Sequence, residues 1–128
     1  RLHDAFYRHA AAQPGSIALQ WGSDSGLQQL SYGELAARAD AIAGHIDTVA
    51  GGDDSMVAVI GGWRPDTVAA LIGILRSGRA YLPVDVDYPA PRIEHILNDA
   101  GRPLVLLQEG ALAPDGLPEV LLSLPDGS

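Results

Sequence analysis

The stretch from residue 56 to residue 107, MVAVIGGWRPDTVAALIGILRSGRAYLPVDVDYPAPRIEHILNDAGRPLVLL, decides the fold. It opens with Met56-Val57-Ala58-Val59-Ile60, an unbroken apolar run of the kind that forms a strand buried on both faces. Gly61-Gly62 breaks the run. Pro65 suits the first turn of a helix and Asp66 suits its positive end. Val68, Leu71, Ile72 and Leu75 then recur at helical spacing as the expected buried stripe, and Gly78 ends the helix. Ala80 to Val84 reads as a strand carrying Pro83, which has no N–H to give a ladder and so belongs at an edge or a bulge. Pro91 opens a further helix with Ile93, Ile96, Leu97 and Ala100 inward, closed by Gly101 and Pro103. Leu104-Val105-Leu106-Leu107 is again a strand. Strands alternating with single helices imply parallel pairing through right-handed crossovers, so the class is α/β, with part of a parallel, helix-covered sheet.

Upstream, residues 2–12 read as a short amphipathic helix with Leu2, Phe6 and Ala10 on one side, stopped by Gln13-Pro14-Gly15. Ile17 to Trp21 is a strand candidate. A turn cluster, residues 22–26, leads to a possible return over Gln28 to Leu30. Ser31-Tyr32-Gly33-Glu34 has capping-box spacing, because a Ser hydroxyl and a Glu three residues on can satisfy each other's free backbone N–H. Behind it Leu35, Ala39, Ile42, Ile46 and Val49 predict a helix to about Val49, ending before Gly51-Gly52. Downstream of Gln108 the composition turns to Gly, Pro and acids, with one last apolar run at Val120-Leu121-Leu122. Three or four parallel strands need cover on both faces, and the chain offers few helices for it. The expectation is a sheet completed by sequence beyond these residues.

The chain has 128 residues with 47% hydrophobic and 19% charged, a balance typical of a folded domain. No apolar run reaches the ~20 residues that span a bilayer, and no signal segment opens the chain. Cys is absent, which excludes disulfides and thiolate chemistry. The net charge of −8 disfavours nucleic acid and anionic membranes. All 8 basic residues are arginine. Without lysine there is no P-loop lysine, no Schiff base and no lysine phosphate clamp.

Candidate chemistry is sparse. Asp85-Val86-Asp87 after an apolar strand is similar to the nucleophile–acid pair of haloacid-dehalogenase-type phosphatases, which work beside magnesium. Against this, Tyr88 and Pro89 stand where a small hydroxyl residue is usual, and the lysine that steadies a phosphorylated Asp is missing; a polar loop capping the next helix is the simpler reading. Gly61-Gly62, between a strand and a helix, lacks both G-x-G-x-x-G and a Walker lysine, and Asp66 occupies the place of an anion's charge; a tight turn is favoured. His3, His9, His45 and His95 show no metal-site spacing, which leaves solvated or capping roles. No G-x-S-x-G elbow is present. Arg76 and Arg79 flank a helix end, where cations favour the negative pole. The residues by themselves yield no catalytic, cofactor or metal site.

Three stretches in order resemble the start of an adenylation domain of a nonribosomal peptide synthetase, in the adenylate-forming, AMP-binding enzyme family. Leu30-Ser31-Tyr32-Gly33-Glu34-Leu35, followed by Ala39 and Ala43, resembles its first core motif, L-[TS]-Y-x-E-L. Leu75-Arg76-Ser77-Gly78-Arg79-Ala80-Tyr81-Leu82-Pro83-Val84-Asp85 resembles the second, L-K-A-G-x-A-Y-x-P-[LI]-D. Asp87 to Ile93 resembles the D-x-x-Y-P-x-x-R-[LI] segment that follows. The opening Leu2-His3-Asp4-Ala5-Phe6 and Gln13-Pro14 are similar to the family's first helix. The resemblance covers about residues 1–108. Arg76, Ser77 and Val86 depart from the usual Lys, Ala and Pro.

The resemblance implies a parent enzyme, a ligase of secondary-metabolite biosynthesis. It activates an amino acid with ATP and Mg to an aminoacyl-adenylate and loads it on the phosphopantetheine thiol of a carrier domain. It also implies a cytoplasmic location. Residues 1–128 are then an N-terminal portion ending before the phosphate-binding loop, inactive alone. The alternative is a vestigial or interrupted adenylation domain, a non-catalytic structural or docking module. Expected partners are the rest of the adenylation domain, carrier and condensation domains, and an MbtH-like protein held at Tyr88, Pro89, Ala90 and Arg92. Pro89 and Pro91 stiffen that segment, so docking there sacrifices little entropy. As a structural role alone, a Pro-initiated helix start would also account for it.

Overall fold

The computed structural model describes residues 2–50, 56–62, 64–108, 111 and 119–122, the side chains of Leu2 and of 119–122 excepted. The order is α1 (Leu2–Ala12), β1 (Ile17–Ser23), β2 (Gly26–Ser31), α2 (Tyr32–Ala50), β3 (Met56–Gly61), α3 (Pro65–Arg76), β4 (Ala80–Asp85), α4 (Ala90–Asp99), β5 (Leu104–Gln108) and β6 (Glu119–Leu122). β1 and β2 form an antiparallel hairpin, and the other four strands form one parallel sheet in the order β4-β3-β5-β6. β4 and β6 are the edge strands among the described residues, and β4 is the one paired with β3. β4 carries Pro83, exposed and opposite Val59, at the edge position that its sequence predicts.

The period of two in β3 and β5 divides the core between the two faces of the sheet. Val57, Val59, Leu104 and Leu106 point to one side and pack with Ile46 of α2 and Ala70 and Ile74 of α3. Ala58, Ile60, Val105 and Leu107 point to the other and meet Val84, with Ile93 and Leu97 of α4. Cover is therefore more complete than the helix count predicts. α2 precedes the sheet in sequence, yet folds back onto the α3 face. The central strands are buried along almost their whole length.

α3 departs from its predicted stripe. Val68, Leu71, Ile72 and Leu75 are only half-buried, while Ala69, Ala70, Gly73 and Ile74 are buried. The helix is wedged between α2 and the sheet. Close approach selects its small residues there and turns the bulky ones to the flanks. A Cβ on Gly73 would lie 2.7 Å from the Ala39 carbonyl oxygen and 3.0 Å from Ile42 Cβ. In α2, Leu35, Ala39 and Ile46 are buried as expected and Ile42 packs against the core, but Val49 is exposed and Ala43 takes a buried position instead. The predicted stop at Gly51-Gly52 lies outside the described residues. α4 begins at Ala90, with Pro89 as N-cap and Pro91 second, one residue earlier than its sequence suggests. Prolines suit those positions because the first N–H groups of a helix have no intrahelical acceptor.

Local signals set the boundaries. The Ser31 N–H donates to Glu34 Oε1 at 2.8 Å, and the Glu34 N–H donates to Ser31 Oγ at 3.1 Å, which completes the capping box. After α3, Gly78 takes φ +84°, a left-handed conformation that costs a residue with a Cβ about 1 kcal/mol or more.

The two arginines at the end of α3 join helices to one another in addition to sitting near a helix pole. The Arg79 guanidinium, 9% exposed, donates to Asp47 Oδ1 of α2 at 2.6 Å. Arg76 lies 4.4 Å above the Tyr7 ring of α1 and 3.8 Å from Asp40 of α2. The Tyr7 hydroxyl donates to the same Asp40 carboxylate at 2.8 Å. Burial, then the hydrogen bond to Asp40 and its negative charge, push the Tyr7 phenol well above its ordinary range, against a smaller opposing pull from Arg76. Because the folded pKa is raised, the stabilisation is whole below the ordinary phenol value of about 10 and fades as pH climbs above it. Tyr7→Phe is expected to cost about 1 kcal/mol at neutral pH through the lost hydrogen bond. That difference should shrink in unfolding curves taken above about pH 10. A gap that instead widens with alkali would refute the assignment.

Candidate functional site

The C-terminal ends of β3, β4 and β5 bring the separate sequence candidates to one place. On the β3–β4 side lies a cavity of about 300 Å³, lined by Gly61, Gly62, Thr67, Tyr81, Asp85 and Tyr88, with Val68 and Leu71 of α3 along its wall. Neighbouring strands β3 and β5 send their connections in opposite directions, β3 toward β4 and β5 toward β6. In open α/β sheets such a reversal leaves a crevice at the strand ends, the usual ligand position.

Here the crevice is occupied by the chain's own side chains. The Gly62 N–H donates to Gln108 Oε1 at 2.8 Å. Thr67 Oγ1 accepts the Arg64 N–H at 3.0 Å and lies 2.6 Å from the Gly62 carbonyl oxygen. The Thr67 N–H donates to Asp66 Oδ1 at 2.9 Å, and Asp66 is buried at the start of α3 with Arg64 3.8 Å away. A Cβ on Gly61 would come within 2.6 Å of Thr67 Cγ2 and 3.2 Å of Gln108 Cβ. Gly61 is therefore the last residue of β3, paired with Asp85, and not part of a tight turn; its missing Cβ permits the close packing, and Gly62 follows the strand. Thr67 and Gln108 were not singled out by sequence reasoning. The available signal for Gln108 was its place as the lone polar residue closing an apolar strand.

The loop after β4 is a self-contained turn. Asp85 Oδ1 accepts the Asp87 N–H at 2.8 Å, and the Tyr88 N–H donates to the Asp85 carbonyl oxygen at 3.1 Å. The half-buried Tyr88 ring packs toward the α4 core, and the Arg92 guanidinium lies 4.1 Å above it. Pro89 and Ala90 are exposed at the tip. Tyr81, on the cavity wall, has its phenol pushed up by burial.

These groups do not suit a phosphate or a divalent cation. The N–H groups of Gly62, Arg64 and Thr67, before and at the start of α3, already have partners, and the Asp66 carboxylate occupies the helix's positive pole. Among the described residues, no group of three or more His, Asp or Glu side chains converges on a metal position. His3 is buried and lies 3.5 Å from the Asp4 carboxylate, whereas the sequence predicts a solvated or capping residue. His9 is exposed, with its ring 4.3 Å from that of Tyr32. No described helix is long and apolar enough to cross a membrane.

A profile of the AMP-binding enzyme family matches residues 6–125. A plipastatin synthase of Bacillus subtilis (strain 168) is 36% identical over 120 residues, covering 94% of this chain and 4% of that protein. Surfactin synthase subunit 2 of the same organism is 40% identical over 101 residues, covering 79% of this chain and 3% of that protein. A crystal structure of the nonribosomal peptide synthetase FmoA3 superposes with a TM-score of 0.82 at 29% identity, covering 94% of this chain and 13% of that one. The chain therefore spans only a small part of the relatives that it matches.

Proposed function

The chain belongs to the AMP-binding enzyme family, and from that premise we propose that residues 1–128 are the N-terminal portion of an adenylation domain, ending before its phosphate-binding loop. The parent is an amino-acid-activating ligase of a nonribosomal peptide synthetase. It converts an amino acid and ATP to an aminoacyl-adenylate and passes the acyl group to a carrier-domain thiol. The observation that carries this reading is the ordered set of motif segments within a chain that aligns over 94% of its length with a plipastatin synthase. The structure gives those segments architectural work. Ser31 and Glu34 start α2, Gly78 and Arg79 end α3 and tie it to Asp47, and Asp85 to Arg92 turn β4 into α4.

ATP and Mg enter as the parent's cofactors, and phosphopantetheine as the carrier's. In this reading the sites for these groups lie outside residues 1–128; the charge and donor arrangement described above supports it. The role of this portion is to build the sheet and helix layers on which the remainder of the domain rests. The test is ATP–pyrophosphate exchange by the full-length protein against a panel of amino acids. Exchange stimulated strongly by one amino acid, or a few related ones, is expected. No exchange with any, from a folded protein, would favour the alternative of a vestigial, non-catalytic docking module.

A second reading concerns Tyr88, Pro89, Ala90 and Arg92 as a docking point for an MbtH-like protein. What supports it is a preset surface: two prolines fix the backbone, Arg92 holds the Tyr88 ring, and the small Ala90 stands exposed between them. Little ordering entropy is lost on binding such a segment. In the full-length protein, Ala90→Glu is expected to weaken binding of the cognate MbtH-like protein by a few kcal/mol, about one hot-spot loss. An unchanged titration with the fold intact removes this segment from the interface.

A further inference from the structure

We draw no further inference here: the strongest candidate, the cavity of about 300 Å³ at the C-terminal ends of β3 and β4, has its Thr67 hydroxyl and Asp85 carboxylate engaged within their own loops, and nothing in the structure shows what covers its open side.

Discussion

Gly73→Val is expected to remove most of the stability of this region. Every substitution with a Cβ meets the Ala39 carbonyl oxygen at 2.7 Å, and that oxygen belongs to the backbone of α2. Ile42 leaves no room on the other side, with Cβ and Cγ2 both at 3.0 Å. Relief requires the two helices to separate, and both pack through Ile46, Ala70 and Ile74 onto the same face of the sheet. Overpacking a core costs about 1–3 kcal/mol for modest insertions. Valine adds two further methyl groups and a stiff χ1, so a loss of about 3 kcal/mol or more is expected from a total that is typically ~5–15 kcal/mol. The helix propensity gained on replacing glycine, below about 1 kcal/mol, does not offset it. Gly44 of α2 is the control, because a Cβ there meets nothing within 4 Å. Gly44→Ala should stabilise by about 0.5–1 kcal/mol through propensity alone. Denaturant midpoints of the full-length protein and both variants measure this. Equal midpoints for Gly73→Val and the parent would show that α2 and α3 do not pack as described.

The second large effect is an absence of activity. Purified residues 1–128 should catalyse ATP–pyrophosphate exchange with no amino acid, at no more than the rate of buffer. Phosphoryl chemistry depends on positioned cations and backbone donors facing the developing charge. The chain has no lysine. Five described arginines already have acceptors or rings as neighbours: Arg64 with Asp66, Arg76 with Tyr7 and Asp40, Arg79 with Asp47, Arg92 with Tyr88 and Arg102 with Asn98. They are dispersed over the helices and do not converge on a triphosphate. A reproducible exchange signal that disappears in Asp85→Asn or Asp87→Asn would overturn this and restore a catalytic reading of the Asp85-Val86-Asp87 turn.

Much of the architecture was legible because short-range physics writes it directly into the chain. A short unbroken apolar run between glycine and proline breakers, too short for a helix, reads as a doubly covered strand, so Met56–Ile60 and Leu104–Leu107 declare themselves. Ser31 with Glu34, Pro65 and Gly78 each solve a backbone problem within a few residues, and their places hold in the structure. Pro83 restricts β4 to an edge in the same way. The ordered motifs carried the family, and the comparisons agree.

Other features depended on groups far apart in sequence. Periodicity assigned the buried face of α3 to its largest residues, but the distance between α2 and the sheet assigned it to Ala69, Ala70, Gly73 and Ile74. Only an α2 backbone oxygen, 34 residues away in sequence (73 − 39), makes glycine necessary at position 73. Arg76 and Arg79 looked like helix-end charges until the fold placed Tyr7, Asp40 and Asp47 beside them. Gln108 acquired its role only when parallel pairing set β5 against β3 and brought its side chain to the Gly62 N–H. Sequence by itself determined which segments are helix or strand, because those properties rest on neighbours within a turn or two, and the order of its motifs along the chain identified the family. Which face is buried, which charges pair and what fills the crevice were decided by tertiary structure, because those interactions join residues that the chain order keeps apart.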